Sequence, residues 1–278
     1  MYGKYLRATN KERPLETTVI PYPNILCSTS TFEVKIADSL TEIDAALRLR
    51  FEVFNLEMNE GLPSSYESGF DSDVYDTFCD HLIVKETATG RIVGTYRLLT
   101  QEKAERHIGF YSENEFDLSA LRGMNGRFLE LGRSCVAKPF RSLAVINLLW
   151  SGIARYLELH SITHLFGCAS FHTHDPHQIA AAYAYLKLYH SLPDNIDIRP
   201  RAEYRMDLPH RMLSSHDIEQ AFSSFPPLMK GYLRLGAKIG GMPAFDKVFG
   251  TTDFLIVVET ERIAEKYKRH YVRSALAA

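Results

Sequence analysis

The chain has little tryptophan (one residue), few cysteines (four) and almost no net charge. It also lacks any apolar run of the roughly 18–20 residues that a membrane-spanning helix needs. One dense apolar patch, Ala144 to Leu149, is interrupted by Asn147. Cys27, Cys79, Cys135 and Cys168 stand far apart with no C-x-x-C spacing, which excludes a disulfide scaffold or structural zinc site and leaves reduced thiols. The N-terminal MYGKYLRATNKERP lacks the basic-then-apolar order of a secretory leader, so a cytoplasmic protein is expected. With 32 bases against 34 acids the net charge is −2, which argues against a general nucleic-acid binder. What remains is an ordinary chain of 278 residues, 45% hydrophobic and 24% charged, long enough to bury a real core.

The distribution of charge is more informative than the sum. From Glu57 to Glu86 there are eight acids (Glu57, Glu60, Glu67, Asp71, Asp73, Asp76, Asp80, Glu86) and one base, Lys85. From Arg122 to Arg155 there are six bases (Arg122, Arg127, Arg133, Lys138, Arg141, Arg155) and one acid, Glu130. Two solvated surfaces would account for this, and so would a site that handles a cation on one side and an anion on the other.

Periodicity predicts one α/β domain. Residues 1–30, with Pro14, Pro21 and Pro23, read as an irregular arm, and 31–278 as a single domain with a C-terminal extension. FEVKIA (32–37) alternates as a strand. Thr41 and Asp44 have capping-box spacing and open a helix with Ile43, Leu47, Phe51 and Phe54 on one stripe. The acidic stretch 57–79, with Gly61, Pro63 and Gly69, reads as a long functional loop or short helices. HLIVKE, a TATG turn and RIVGTYRLL form a hairpin; RFLELGRSCV (127–136) and THLFGCAS (163–170) are further strands, with a helix near 143–160 between them. Asp175 and Pro176 start another helix, a further one spans about 227–235, and FLIVVE (254–259) is the last strand.

The turn Ala137-Lys138-Pro139-Phe140-Arg141-Ser142 joins a strand to a helix. Free backbone N–H groups at such a helix start attract anions, and Lys138 and Arg141 add charge beside them. There is no Walker pattern and no G-x-G-x-x-G here, so a nucleotide reading is weak.

This order of elements resembles the GNAT-type acyltransferases, an α/β fold with a central mixed twisted sheet flanked by helices. In that family the turn R-x-x-G-x-G/A holds coenzyme A pyrophosphate or carrier-protein phosphopantetheine. Here it reads Arg141-Ser142-Leu143-Ala144-Val145-Ile146. Ala144 and Ile146 at the small positions suit a branch whose donor is acyl carrier protein. Arg50-x-x-x-Phe54, Asp73-x-x-Asp76, Gly94-x-x-Arg97 and Glu130-x-x-Arg133 resemble the branch of acyl-homoserine lactone synthases and ornithine-lipid N-acyltransferases. Longer strings, Cys79-Asp80-His81-Leu82, Phe110-Tyr111-Ser112-Glu113, Glu130 to Val136, Leu165 to Phe171 and Tyr232 to Ala237, look like the ornithine-lipid enzymes, with a resemblance from about 32 to 260. The resemblance implies transfer of a 3-hydroxy fatty acyl group from acyl carrier protein to the α-amine of L-ornithine. No cofactor is then held permanently, and acyl-phosphopantetheine is a co-substrate.

Such chemistry needs a base, an oxyanion donor and a leaving thiol. Glu130 is the candidate base, against the alternative of an ion pair with Arg133 or Arg97. Strict alternation puts Glu130 and Arg133 on opposite faces of the strand, so both reach one site only if it bulges, with Gly132 the expected place. The family's oxyanion donor is a main-chain N–H on this strand, here of Cys135 or Val136. A covalent role for the Cys135 thiol is disfavoured, with no histidine near it in sequence. Asp71, Asp73, Asp76 and Asp80 are candidates for the cationic side of ornithine, and Arg50, Arg97 and Arg133 for its carboxylate. The competing reading is an internal charge network, preferred for Arg50 and Asp73. Lys138, Arg141, Ser142 and Ala144 are candidates for phosphopantetheine and carrier binding. An acyl cleft is expected between the strands at 129–136 and 163–170, with Trp150 or Phe171 as lining or plain core. His172, His174, Asp175 and His177 have metal-compatible spacing, but a capping role for Asp175 competes and the family needs no metal.

The rival enzymes are an N-acyl amino acid synthase with another acceptor and an acyl-homoserine lactone synthase. A non-catalytic rival is an acyl-carrier-binding module. Lys230, Arg234 and Lys238 near Leu233 suggest a basic amphipathic surface for peripheral contact at the inner membrane.

Overall fold

The short apolar segments pair into a nine-stranded sheet in a computed structural model that describes residues 24–141, 143–209, 214–261 and 263. The strands are β1 (Ile25–Ser28), β2 (Phe32–Ile36), β3 (Asp80–Glu86), β4 (Ile92–Thr100), β5 (Phe116–Asp117), β6 (Phe128–Val136), β7 (His164–Phe171), β8 (Arg199–Pro200), β9 (Lys238–Ile239), β10 (Ala244–Asp246) and β11 (Thr251–Glu259). The main sheet runs β1-β2-β3-β4-β6-β7-β11-β10 with β9 added beside β11, while β5 and β8 pair apart. Within it β6 and β7 are parallel and the remaining pairs antiparallel. A parallel pair requires a crossover, and α5 (Leu143–Leu159) supplies it. The other α-helices are α1 (Leu40–Arg50), α2 (Ser65–Ser68), α3 (Gln101–Arg106), α4 (Ser119–Arg122), α6 (Pro176–Tyr189), α7 (Ser215–Ala221) and α8 (Pro227–Arg234).

Alternation along the strands divides the core in two. On one face α5 presses Val145, Leu149, Ile153 and Leu157 toward Val34, Leu82 and Leu98, joined by Ile179 of α6 and Met229 of α8. On the other face α1 sets Ala46 and Leu49 against Ile83, Ile92 and Cys135. Beside it, Phe110, Phe116 and Leu121 pack with Phe128, Phe166 and Leu255. Gly94 lets α5 approach β4, since a Cβ there would meet Val145 Cγ1 at 3.3 Å.

Several details differ from the sequence reading. Ile25–Ser28, inside the expected irregular arm, is an edge strand on β2; four residues are too few to show a period. Ser39, not Thr41, caps α1, because its Oγ accepts the Glu42 N–H at 3.3 Å and starts the helix two residues earlier. The residues after α1, Phe51–Glu57, form a π-helical turn. Trp150 and Phe171 are core side chains, packed on Tyr232 and on Phe225 and Phe254. Leu233, with Met229 and Tyr232, is buried, and Lys230 bonds the Ser223 carbonyl, so α8 turns these apolar side chains inward. Among the described residues no helix is long and apolar enough to cross a membrane.

Candidate functional site

The site is organised by a bulge in β6. Thr95 pairs with Cys135 and Arg97 with Gly132, so Tyr96 stands opposite two residues, Arg133 and Ser134. The extra residue turns Arg133 to the same face as Glu130, while Leu129 and Leu131 keep to the α5 face. The bulge falls at Arg133, not at Gly132, and Arg133 takes the left-handed conformation with φ +48°. A non-glycine residue holds that conformation when its surroundings over-determine it. Here the guanidinium pairs with Asp71 and lies 4.2 Å from the Phe54 ring.

Asp71, Asp73 and Asp76 meet Arg50, Arg97 and Arg133 in one network. Arg50, 1% exposed, bonds Asp71 at 2.7 Å and Asp76 at 2.6 Å. Arg97 bonds both oxygens of Asp73 at 2.7 Å and reaches Asp76 at 3.4 Å. The D-x-x-D spacing is itself a capping box: Asp73 accepts the Tyr75 N–H while Asp76 accepts the Asp73 N–H, each at 2.8 Å. The same carboxylates therefore end a loop and neutralise arginines. Four-residue spacing does similar double duty, placing Arg50 in this trio and Phe54 beneath Arg133. Burial alone would raise Asp71 and Asp76, but Arg133 and Arg50 at the first and Arg50 and Arg97 at the second more than offset it. This corrects the expectation that Asp71, Asp73, Asp76 and Asp80 receive a substrate cation. The first three are committed to arginines, and Asp80 to Lys103 at 2.6 Å and Tyr156 at 2.7 Å. Arg50 and Arg97 are equally enclosed, which leaves Arg133 as the arginine with a partly exposed side chain.

Glu130 makes no ion pair with Arg97 or Arg133. Its Oε1 accepts the Ser112 N–H at 2.7 Å and the Ser112 hydroxyl at 2.5 Å, and its Oε2 accepts the Tyr111 N–H at 2.7 Å. Burial raises its pKa although these bonds favour the charged form. A buried carboxyl with elevated pKa is matched to proton transfer near neutral pH.

Beside Glu130 the sheet opens. The β6–β7 ladder ends at the Glu130–Phe166 pair, and Leu131, Gly167, Cys168, Tyr232 and Ile256 line a cleft beyond it. A Cβ on Gly167 would lie 2.4 Å from the Leu131 carbonyl oxygen, so only glycine fits where the strands part. Neither Trp150 nor Phe171 lines this cleft. Ala137 N–H donates to Val93 O at 2.9 Å. Ladder alternation then turns the Cys135 N–H toward β4 and the Val136 N–H toward the open edge. The Cys135 thiol is buried and pushed up to about 12 by burial, the opposite of an activated nucleophile.

At the turn before α5, Lys138 and Ala144 are exposed, and Ser142 lies outside the described residues. Arg141 is engaged: it forms a fork with Glu57 at 2.5 and 2.7 Å and bonds the Val136 carbonyl. In the histidine cluster, His172 pairs with Glu60 at 2.6 Å and Asp175 caps α6. Among the described residues the metal-compatible group lies elsewhere, at Glu115, Cys168 and Asp253. Sequence reasoning named Cys168 and Ser112 only within strings of resemblance, gave them no role, and passed over Glu115 and Asp253. An acid at the head of the apolar run of β11 was a legible signal for Asp253, whereas Glu115 is one acid among several in its segment.

Residues 49–151 match an acetyltransferase (GNAT) domain model. The chain is 42% identical to an L-ornithine N(alpha)-acyltransferase of Brucella abortus, over 89% of this chain and 91% of that one. It is 39% identical to an L-ornithine N(alpha)-acyltransferase of Rhizobium meliloti, over 90% and 88%. A solved N-acyl amino acid synthase from uncultured soil microbes is 10% identical, with a TM-score of 0.49, covering 84% of this chain and 92% of that one.

Proposed function

This chain belongs to the L-ornithine N(alpha)-acyltransferase family, and we propose that it moves a 3-hydroxy fatty acyl group from acyl carrier protein to the α-amine of L-ornithine. Its fold is GNAT-like, a mixed twisted sheet flanked by helices, and the product is a lyso-ornithine lipid. The observation that carries the reading is the buried Glu130 carboxylate, set by the bulge on the same face as Arg133 and beside the parting of β6 and β7.

In this reading Arg133 holds the acceptor carboxylate from the exposed edge of the network. Glu130, through Ser112 or a water, takes a proton from the α-ammonium. The freed amine attacks the thioester carbon, and the Val136 N–H stabilises the oxyanion that forms. Collapse breaks the C–S bond, and the second proton lost by the attacking nitrogen passes to the departing thiolate, leaving an amide and a phosphopantetheine thiol. The acyl chain lies in the cleft along Leu131 and Gly167. The carrier approaches the turn at Lys138, with its phosphate at the start of α5 beside Ser142 and Ala144. Such a reaction places the enzyme in the cytoplasm.

Mass spectrometry of products from the purified chain, 3-hydroxyacyl carrier protein and a panel of amino acids tests this. Acyl-ornithine is expected; a product from another amino acid, with ornithine untouched, overturns the acceptor, and no product with any amine overturns catalysis.

A further inference from the structure

Behind Ser112 lies a second group of acids that the steps above do not use. Glu115 follows the 3-10 turn Tyr111–Asn114, and Asp253 stands on β11. They bring carboxylate oxygens within 4.8 Å of each other and of the Cys168 thiol on β7. Glu115 is 1% exposed, and Asp253 and its neighbour Asp246 are 4% exposed. Cys168 Sγ lies 3.4 Å from Ser112 Oγ and 3.7 Å from Glu115 Oε2. Ser112 in turn donates to Glu130, so two atoms link the base to this group.

An acidic cluster alone would be unremarkable, but this one is incomplete. Glu115 Oε1 and Asp253 Oδ1 are buried and have no hydrogen-bond partner. Asp71, Asp76, Asp80 and Glu130, the other buried or half-buried acids nearby, all have donors. Asp246 disfavours ionisation of both, Ser170 and Thr251 bond Asp253, Cys168 bonds Glu115, and the histidine that Asp253 acts on is His172, itself paired with Glu60. Buried carboxyl oxygens left without a partner are costly and are rarely kept unless something arrives to satisfy them. The group also has an entrance, because Cys168 is only partly buried and lines the cleft between β6 and β7.

We propose that Glu115 and Asp253, with Cys168 as the wall toward the cleft, form the pocket for the side-chain ammonium of the acceptor, the cation of a diamino acid that is not acylated. The inference rests on the ornithine reading and deepens it: seating that end here directs the α-amine back toward Ser112 and Glu130. Two carboxyls that share one proton carry a single negative charge, which matches one ammonium and its three donors. A divalent cation would instead require both carboxyls ionised and favour a thiolate, while burial pushes Cys168 well up. Selectivity follows from leaving buried oxygens unpaired: an acceptor that ends in a hydrocarbon cannot satisfy them.

Calorimetric titration of the purified chain with ornithine and with norvaline, which has the same carbon skeleton without the side-chain ammonium, tests the pocket. The wild type is expected to prefer ornithine by about 100-fold. Asp253→Asn and Glu115→Gln are expected to bring ornithine down to the level of norvaline while norvaline binding stays as it was. Circular dichroism identifies the folded variants, and the near-isosteric Asp253→Asn serves if Glu115→Gln does not fold. Equal binding of the two amino acids by the wild type overturns the pocket. So does a preference retained by a folded variant, or tight zinc or calcium binding that the variants abolish while the ornithine preference persists. Turnover measured alongside separates the two readings. Preference lost in the variants without ornithine acylation by the wild type supports the pocket and sinks the acceptor assignment. Acylation with the preference intact in the variants sinks the pocket alone.

Discussion

Ser112 binds Glu130 twice, its N–H at 2.7 Å and its hydroxyl at 2.5 Å both reaching the same carboxylate oxygen. The hydroxyl also accepts from the Cys168 thiol at 3.4 Å. Ser112 is thus the junction between the proposed base and the acidic pocket behind it.

Glu130→Gln keeps the shape of the side chain and removes its proton-accepting charge. Turnover is expected to fall by about 10²–10⁴-fold with carrier binding unchanged, read by product mass spectrometry and by carrier titration. Unchanged turnover would remove Glu130 as the base.

Ser112→Ala takes away one donor to the ionised form, and burial already raises the Glu130 pKa. The acidic limb of the kcat/KM profile should move to higher pH, since fewer bonds favour the carboxylate. A profile displaced to lower pH contradicts this account.

Within the arginine network the cost of neutralising an acid should follow its enclosure. Asp76 serves both Arg50 and Arg97 and is nearly sealed, so Asp76→Asn is expected to cost about 3–5 kcal/mol in urea unfolding. Asp73 is more exposed and asparagine preserves its cap, so Asp73→Asn should cost about 1 kcal/mol. Equal losses would show that the two act as one unit.

Stability should fall toward both ends of the pH scale for opposite reasons. Asp71 and Asp76 are held below the ordinary range, so their contribution is present above about 3.8 and is lost as pH falls through their lowered values. Burial and the charge of Asp246 push Asp253 up to about 6, so its contribution is full below 3.8 and is lost as pH rises through about 6. Thermal melts of Asp253→Asn should therefore lose part of the decline above pH 6 and keep the acid limb.

Arg141 spends its fork on Glu57, which changes what the basic turn can offer an acidic carrier. Glu57→Gln should tighten carrier binding several-fold and Lys138→Glu should weaken it, both effects shrinking with salt. An affinity indifferent to salt would rule out docking at this turn.

Local pattern made much of the architecture legible. HLIVKE and RIVGTYRLL became β3 and β4, and the apolar spacing of Val145, Leu149, Ile153 and Leu157 gave α5 its buried face. The need for a bulge followed from counting alternation between Glu130 and Arg133. Its position did not, because what holds Arg133 is Asp71, 62 residues away. Arg141 and Glu57 likewise lie 84 residues apart, so no window of sequence could show that the arginine was engaged. The acidic pocket combines β11, β7 and a turn after Tyr111–Asn114, and its members meet only when the sheet forms.

The capping box at Asp73 and Asp76 has a consequence for how substrates enter. Opening the acidic segment would break its helical cap and at the same stroke strand Arg50 and Arg97 without counterions in a dry interior. The segment is therefore a foundation and not a door. Its amides should rank among the slowest to exchange with solvent water, and traffic of acceptor and acyl chain is left to the seam on the far side of Glu130, where β6 and β7 separate.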